Sequence, residues 1–349
     1  MVSVKIIIEK NSLLKHIPWF PHPENPERVK IIINALSKTS LRDRVLYVEK
    51  QADLRGVLSI LERIHCRRYI EYVLDRASKA PCELDPDTYL SLDSLELIVE
   101  TISLVYNTAA SLRSSDTLFL AIRPPGHHAG KCGKAFRAPT LGFCIFNNAA
   151  VAVEALRDNG FNRITVLDFD IHHGNGTQEI YYKDPTVLHV DLHRNPIDFY
   201  PFTGFPEQIG SGRGRGYSIN FILEPGSGDD SYSFMLNLVS EIIELYSPEA
   251  IVVSAGFDGF LDDGLADTML TEHTYYNIGK LLRKLNLPTL LVLEGGYSIG
   301  LKRGVPALVY GALGIKKEYK PSRTEKTIYR QNVEYAKKLY NHILKYLKK

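Results

Sequence analysis

The sequence predicts an α/β fold: a mainly parallel central sheet with helices on both faces. Short apolar, β-branched runs alternate with helical patterns along the chain, and strands in that alternation are joined by crossovers and buried on both sides. Five of the runs end in polar clusters. Thr117–Ile122 leads into Arg123-Pro-Pro-Gly-His-His128, and Ile164–Leu167 into Asp168-Phe-Asp-Ile-His-His-Gly174. Val187–Val190 precedes Asp191-Leu-His-Arg194, Ala250–Val253 precedes Ser254-Ala-Gly-Phe-Asp258, and Thr289–Leu293 precedes Glu294-Gly-Gly-Tyr297. Ligands of parallel sheets sit beyond the carboxyl ends of the strands, so these ends point to one site at one sheet edge.

The elements follow in order. Lys5–Ile8 is a first short β-run, and the proline-rich Pro18–Pro26 reads as a rim loop before a helix. Helical patterns cover Asn25–Ser37, Leu92–Arg113, Ile145–Asn159, Gly176–Lys183, Ser231–Tyr246 and Glu272–Leu285. Gly210–Gly216 is glycine-rich but does not open a helix after a strand, so it reads as a surface turn before the strand Tyr217–Phe221 and not as a phosphate loop. The basic C-terminus ends in a packed helix over Glu325–Lys348. With no convincing linker, residues 1–349 are expected to form a single domain.

At 349 residues, 44% hydrophobic and 23% charged, the chain is neither disordered nor collagen-like and needs no disulfide staple. A net charge of +2 argues against nucleic acid as an obligate partner. The four cysteines, Cys66, Cys82, Cys132 and Cys144, form no CxxC pair. The opening residues are unlike a signal sequence, and no stretch matches a membrane span. A cytoplasmic protein with reduced thiols is expected, with no membrane partner and no specified oligomeric state.

Alternate residues of a strand share one face, so Asp168, Asp170 and His172 project together if the extended geometry persists. Carboxylate and imidazole donors suit a borderline divalent metal such as zinc, and a third ligand would leave a position open for water or substrate. Asp258, ending its own strand, supplies that third ligand to Asp170 and His172. The bland alternative is a set of buried polar groups satisfying loop backbone.

His127-His128 suits general acid–base work near neutral pH. Asp168 is the expected partner of His127 and Asn175 of His128. A carboxylate raises the imidazole pKa and a neutral amide does not, so His127 would stay charged and His128 would act as base. Packing or loop capping is the competing role for His127. Tyr297, after two glycines, is placed to donate to a developing oxyanion, although most of the 20 tyrosines must simply pack. Gly142-Phe143-Cys144 and Phe199-Tyr200-Pro201 offer aromatic walls for an alkyl chain.

Together these motifs resemble the histone deacetylase superfamily, which includes lysine deacetylases, acetylpolyamine amidohydrolases and acetoin-utilisation-like proteins. The likeness runs from about His22 to Leu313 and takes in Gly142-Phe-Cys-Ile-Phe-Asn-Asn148, Gly210–Asn220 and Pro225-Gly-Ser-Gly-Asp229 beside the five strand ends. It implies an arginase-like three-layer fold and a zinc-dependent amidohydrolase, with zinc on Asp170, His172 and Asp258. It implies structural potassium at Asp168, Asp170, His172, Asp191 and Leu192, with Asp191 standing where the family often has serine. A second monovalent site would lie around Tyr181, Asp184 and Val187. Arg28 resembles the arginine of an inner product channel, and Phe143, Tyr200, Leu265 and Gly295 fall at substrate-channel positions. Asn175 follows the class II-like and bacterial pattern. Polyamine deacetylases carry a glutamate where this chain has Leu265, which favours acyl-lysine, although Asp262, Asp263 and Asp267 lie nearby to substitute.

The resemblance therefore implies hydrolysis of an N-acyl amide, acetyl-lysine first. Metal-activated water is the nucleophile, His127 and His128 supply acid–base chemistry with Asp168 and Asn175 behind them, and Tyr297 stabilises the oxyanion. The rivals are a small-molecule deacetylase acting on acetylpolyamines or related metabolites, a non-catalytic acyl-binding module, and a two-metal ureohydrolase.

Overall fold

The computed structural model describes residues 3–49, 53–114 and 116–347. Its centre is an eight-stranded sheet in which every pairing is parallel. From one edge the strands run Ser218–Leu223, Val187–Arg194, Ile164–Asp168, Ala250–Ala255, Thr289–Leu293, Asp116–Ala121, Ser3–Glu9 and Val45–Val48.

Both faces are covered. Leu167, Val190, Val253 and Leu291 face helices Glu27–Ser37, Asp229–Tyr246, Glu272–Leu285 and Ile299–Leu313. Val166, Val187, Val252 and Val292 face helices Leu54–Ile64, Arg67–Ala77, Ser94–Ala110 and Asn148–Asp158. Two apolar faces explain why the strands read as continuous apolar runs, since period-2 alternation needs one wet face. The terminal helix Lys326–Leu347 lies on Asp229–Tyr246 and on the edge strand Ser218–Leu223. No described helix is long and apolar enough to cross a membrane.

Two sequence expectations need correction. The extended geometry stops at Asp168. Phe169 N–H then donates to Ser254 O at 3.1 Å and Asp170 N–H to the Asp168 side chain at 3.1 Å, so the chain turns there. The thiols are not all reduced, because Cys66 and Cys132 form a disulfide. Cys66 N–H donates to Lys131 O at 2.6 Å, which brings the hairpin Ala129–Lys134 beside the junction of two helices. The partners are 66 residues apart, beyond any short-spacing rule. Cys82 and Cys144 are free.

Candidate active site

Asp170, His172 and Asp258 converge from two loops, each offering a donor atom within 4.8 Å of the others. His172 Nδ1 lies 2.9 Å from Asp258 Oδ2 and 3.2 Å from Asp170 Oδ1. Backbone fixes both carboxylates: Gly295 N–H donates to Asp170 Oδ2 at 2.7 Å and Ile171 N–H to Asp258 Oδ1 at 3.3 Å. A Cβ on Gly295 would stand 2.3 Å from Asp258 Oδ2 and 2.5 Å from Asp170 Oδ2, so only glycine lets the backbone approach this closely. Phe199 stacks on the His172 ring at 4.7 Å. Burial should lower the His172 pKa, yet Asp258 and Asp170 pull it up to about 9. The two carboxylates call for positive charge at this point, and two carboxylates with one imidazole are a donor set that zinc accepts.

Beside this cluster sit the tandem histidines, their rings 4.0 Å apart. His127 Nδ1 lies 3.0 Å from Asp168 Oδ2, and His128 Nδ1 lies 2.8 Å from Asn175 Oδ1. The Asn175 amide is oriented independently, because its Nδ2 donates to Ala135 O at 3.1 Å. Its Oδ1 must therefore accept, so His128 Nδ1 donates and Nε2 keeps a lone pair. The partners split the pair electrically. Burial alone would lower both rings. For His127 the carboxylates of Asp168, Asp170 and Glu294 outweigh burial and hold it well above the ordinary range. For His128 the like charges of His127 and His172 add to burial and hold it well below.

Tyr297 follows Gly296, whose φ of 111° is open to glycine and strained for other residues. Asp263 ties down this turn: its carboxylate accepts from the N–H groups of Tyr297 at 2.7 Å, Ser298 at 2.8 Å and Gly300 at 2.8 Å. The Arg28 guanidinium lies 4.9 Å over the Tyr297 ring and donates to the carbonyls of Gly296 and Glu294. Phe143 packs at right angles to the Tyr297 ring, with ring centroids 6.0 Å apart. Tyr200 packs 5.1 Å from His128, and its hydroxyl donates to Thr140 O. Leu265 is 38% exposed on the neighbouring loop. Asp191 and Leu192 are fully buried on the strand Val187–Arg194. Around Tyr181, the Asp184 carboxylate is engaged by Arg157 and Thr186.

The structure revises the carboxylates near Leu265. Asp263 is buried and holds the Tyr297 turn, while Asp267 pairs with Arg194 at 3.0 Å. Neither is free to attract a substrate amine, whereas Asp262 is exposed and has no hydrogen-bond or ion-pair partner among the described residues. Two positioning residues escaped the sequence reading. Glu294 Oε2 accepts from Gly126 N–H at 2.7 Å and His127 N–H at 3.1 Å, which fixes the histidine turn, and Asp263 does the same for Tyr297. Both act on backbone, which leaves no spacing signal in a sequence. The one available hint for Glu294 was its place at a strand end.

A family model described as "Histone deacetylase domain" matches residues 22–311. A "Probable deacetylase" of Archaeoglobus fulgidus is 33% identical over 320 residues, covering 88% of this chain and 84% of that protein. "Acetylpolyamine amidohydrolase 1" of Pseudomonas aeruginosa is 40% identical over 182 residues, covering 52% of this chain and 51% of that protein. The crystal structure of the HDA15 HD domain superposes with a TM-score of 0.84 at 28% identity, covering 100% of this chain and 97% of that one.

Proposed function

The chain belongs to the histone deacetylase family, and on that premise we propose that it is a zinc-dependent deacylase of N-acyl amides, with acetyl-lysine in proteins or peptides as its preferred substrate. One observation carries the reading: three cation donors, Asp170, His172 and Asp258, face two histidines that their neighbours hold in opposite charge states.

Asp170, His172 and Asp258 would hold the zinc, which when bound supplies Lewis acidity to the acyl carbonyl and to the attacking water. His128 accepts a proton from that water at Nε2, since its Nδ1 already donates to Asn175. As the water oxygen bonds to the acyl carbon, charge develops on the carbonyl oxygen and the Tyr297 hydroxyl donates to it. The C–N bond then breaks, and protonated His128 gives its proton to the leaving amine nitrogen. His127 stays charged against Asp168 throughout. The aromatic rings of Phe143 and Tyr200 would flank the acyl-lysine stem, and Arg28 would line the way out for the short acid.

Leu265, with Asp263 and Asp267 already engaged, supports acyl-lysine over a cationic polyamine, and exposed Asp262 is the one carboxylate beside it left to attract an amine. The likeness to an acetylpolyamine amidohydrolase supports the second reading, a small-molecule deacetylase. Side-by-side kcat/KM on an acetyl-lysine peptide and an acetylated polyamine, each with a zinc-chelator control, separates them. Faster turnover of the polyamine overturns the substrate assignment, and chelator-insensitive turnover of both overturns the zinc. We further take residues 1–349 as one catalytic domain with the C-terminal helix packed on it. We also place the protein in the cytoplasm, where intracellular proteins of some archaea do carry disulfides.

A further inference from the structure

The parallel register puts a second set of metal donors in one place, on the sheet face opposite Leu167 and Val190. Asp168 pairs with Asp191 on one side and with Ser254 on the other, so the three share a row across adjacent strands. His189 stands two residues before Asp191 on the same strand and therefore on the same face. Asp168, His189 and Asp191 offer donor atoms that all lie within 4.8 Å of one another. All three residues, and Ser254, are fully buried.

Two observations point to a missing ligand. Both ring nitrogens of His189 lack a hydrogen-bond partner, although Nε2 lies 3.9 Å from Asp191 Oδ2. The Ser254 hydroxyl in the same row is unpartnered too. Buried polar atoms are normally satisfied, and an imidazole with both nitrogens orphaned is costly. The two carboxylates also converge: a Cβ built on Gly174 would stand 2.3 Å from Asp168 Oδ2 and 3.3 Å from Asp191 Oδ2. Gly174 N–H and His193 Nδ1 already hold Asp191, at 2.8 and 2.6 Å, and each carboxylate oxygen retains a further lone pair.

This chemistry does not fit the potassium ion that the family resemblance implies. Potassium, a weakly held monovalent ion, is coordinated in channel filters by rings of neutral backbone carbonyl oxygens. Here two carboxylates supply the charge of a divalent ion, and an imidazole nitrogen is a transition-metal donor. We propose that Asp168, His189 and Asp191, with Ser254 beside them, hold a second divalent transition-metal ion in place of potassium.

Because the site is closed, the ion would enter as the chain folds. The test is metal content per chain, measured by plasma mass spectrometry on protein expressed in zinc-supplemented medium. Wild type should carry about two zinc ions, and His189→Gln and Asp191→Ser about one each. Asp258→Asn should also retain about one, which separates this site from the candidate active site. Asp191→Ser, which installs the residue the family often has, should in addition gain a rise in Tm with potassium chloride that wild type lacks. About one zinc in wild type, lost in Asp258→Asn, overturns the proposal while leaving the deacylase reading intact. About one zinc in both wild type and Asp258→Asn, lost in Asp191→Ser, sustains it and overturns the assigned active-site zinc. Should His189→Gln fail to fold, the comparison of wild type with Asp258→Asn still decides.

Discussion

Two buried charge clusters lie near Tyr297, and they are built on opposite plans. In the first, the Arg123 guanidinium is fully used. Its Nε and Nη2 meet the two oxygens of Glu24 at 2.6 and 2.7 Å, and its remaining donors reach the carbonyls of Ser12, Lys15 and His16. Glu24 also faces Arg28. Burial should raise the Glu24 pKa, yet the guanidiniums of Arg123 and Arg28 hold it down to about 2. In the second cluster, Asp168, Asp170 and Asp258 crowd one another, and two histidines share them. Charges that are paired and saturated are costly to break one at a time, whereas charges left in competition remain available for an ion and a proton.

The largest expected effect breaks the saturated cluster. Glu24→Gln leaves Arg123 buried and uncompensated, and urea unfolding should report a loss of about 3–5 kcal/mol. A loss under ~1 kcal/mol would mean that the network is neutral to the fold. Asp258→Asn should break the other cluster in the opposite sense, with kcat/KM falling about 10³-fold while the urea midpoint of the metal-free protein hardly moves. If stability fell and activity held, the two plans would be reversed. Tyr297→Phe should lower kcat about 10²–10³-fold, and an unchanged kcat would remove Tyr297 from oxyanion stabilisation.

The gentlest perturbation, a change of pH, sharpens the contrast. His16 and His65 are buried and neutral, with burial holding them down to about 3 and about 4. His65 accepts from Asn147 N–H at Nε2, a contact that protonation destroys. Below pH 6.5 the unfolded chain takes up protons that the folded chain refuses, so stability falls with acid by up to about 1.4 kcal/mol per pH unit per group. Glu24 adds a loss of the same sign between 4.5 and about 2. Unfolding midpoints that stay flat from pH 6.5 to 4 would mean that these histidines titrate normally in the folded protein.

Helix Glu272–Leu285 was legible to the residue because Thr271 caps its start and Asn286 ends it in the left-handed region. Helix Ile299–Leu313 was not, since Pro306 and the glycines at 300, 304 and 311 disguise it. Those glycines answer to tertiary contact: a Cβ on Gly300 would meet Phe257 O at 2.0 Å. The helices Leu54–Ile64 and Arg67–Ala77 and the half-exposed edge strand Val45–Val48 were missed too, although Leu54, Val57, Leu61 and Ile64 recur at helical spacing in the first of them. At the site, residues that end strands were readable from their motifs. The turn after Asp168, and the hold of Asp263 and Glu294 on backbone N–H groups, depend on geometry that spacing does not encode.

The hydrogen bond from Asn175 to the Ala135 carbonyl is far from any reacting atom, yet it fixes the polarity of proton traffic. Turned end for end, the same neutral amide would offer His128 a donor and drive the ring into its other tautomer, with Nε2 already carrying hydrogen. A main-chain oxygen on a loop thus selects whether the imidazole begins each turnover empty or full.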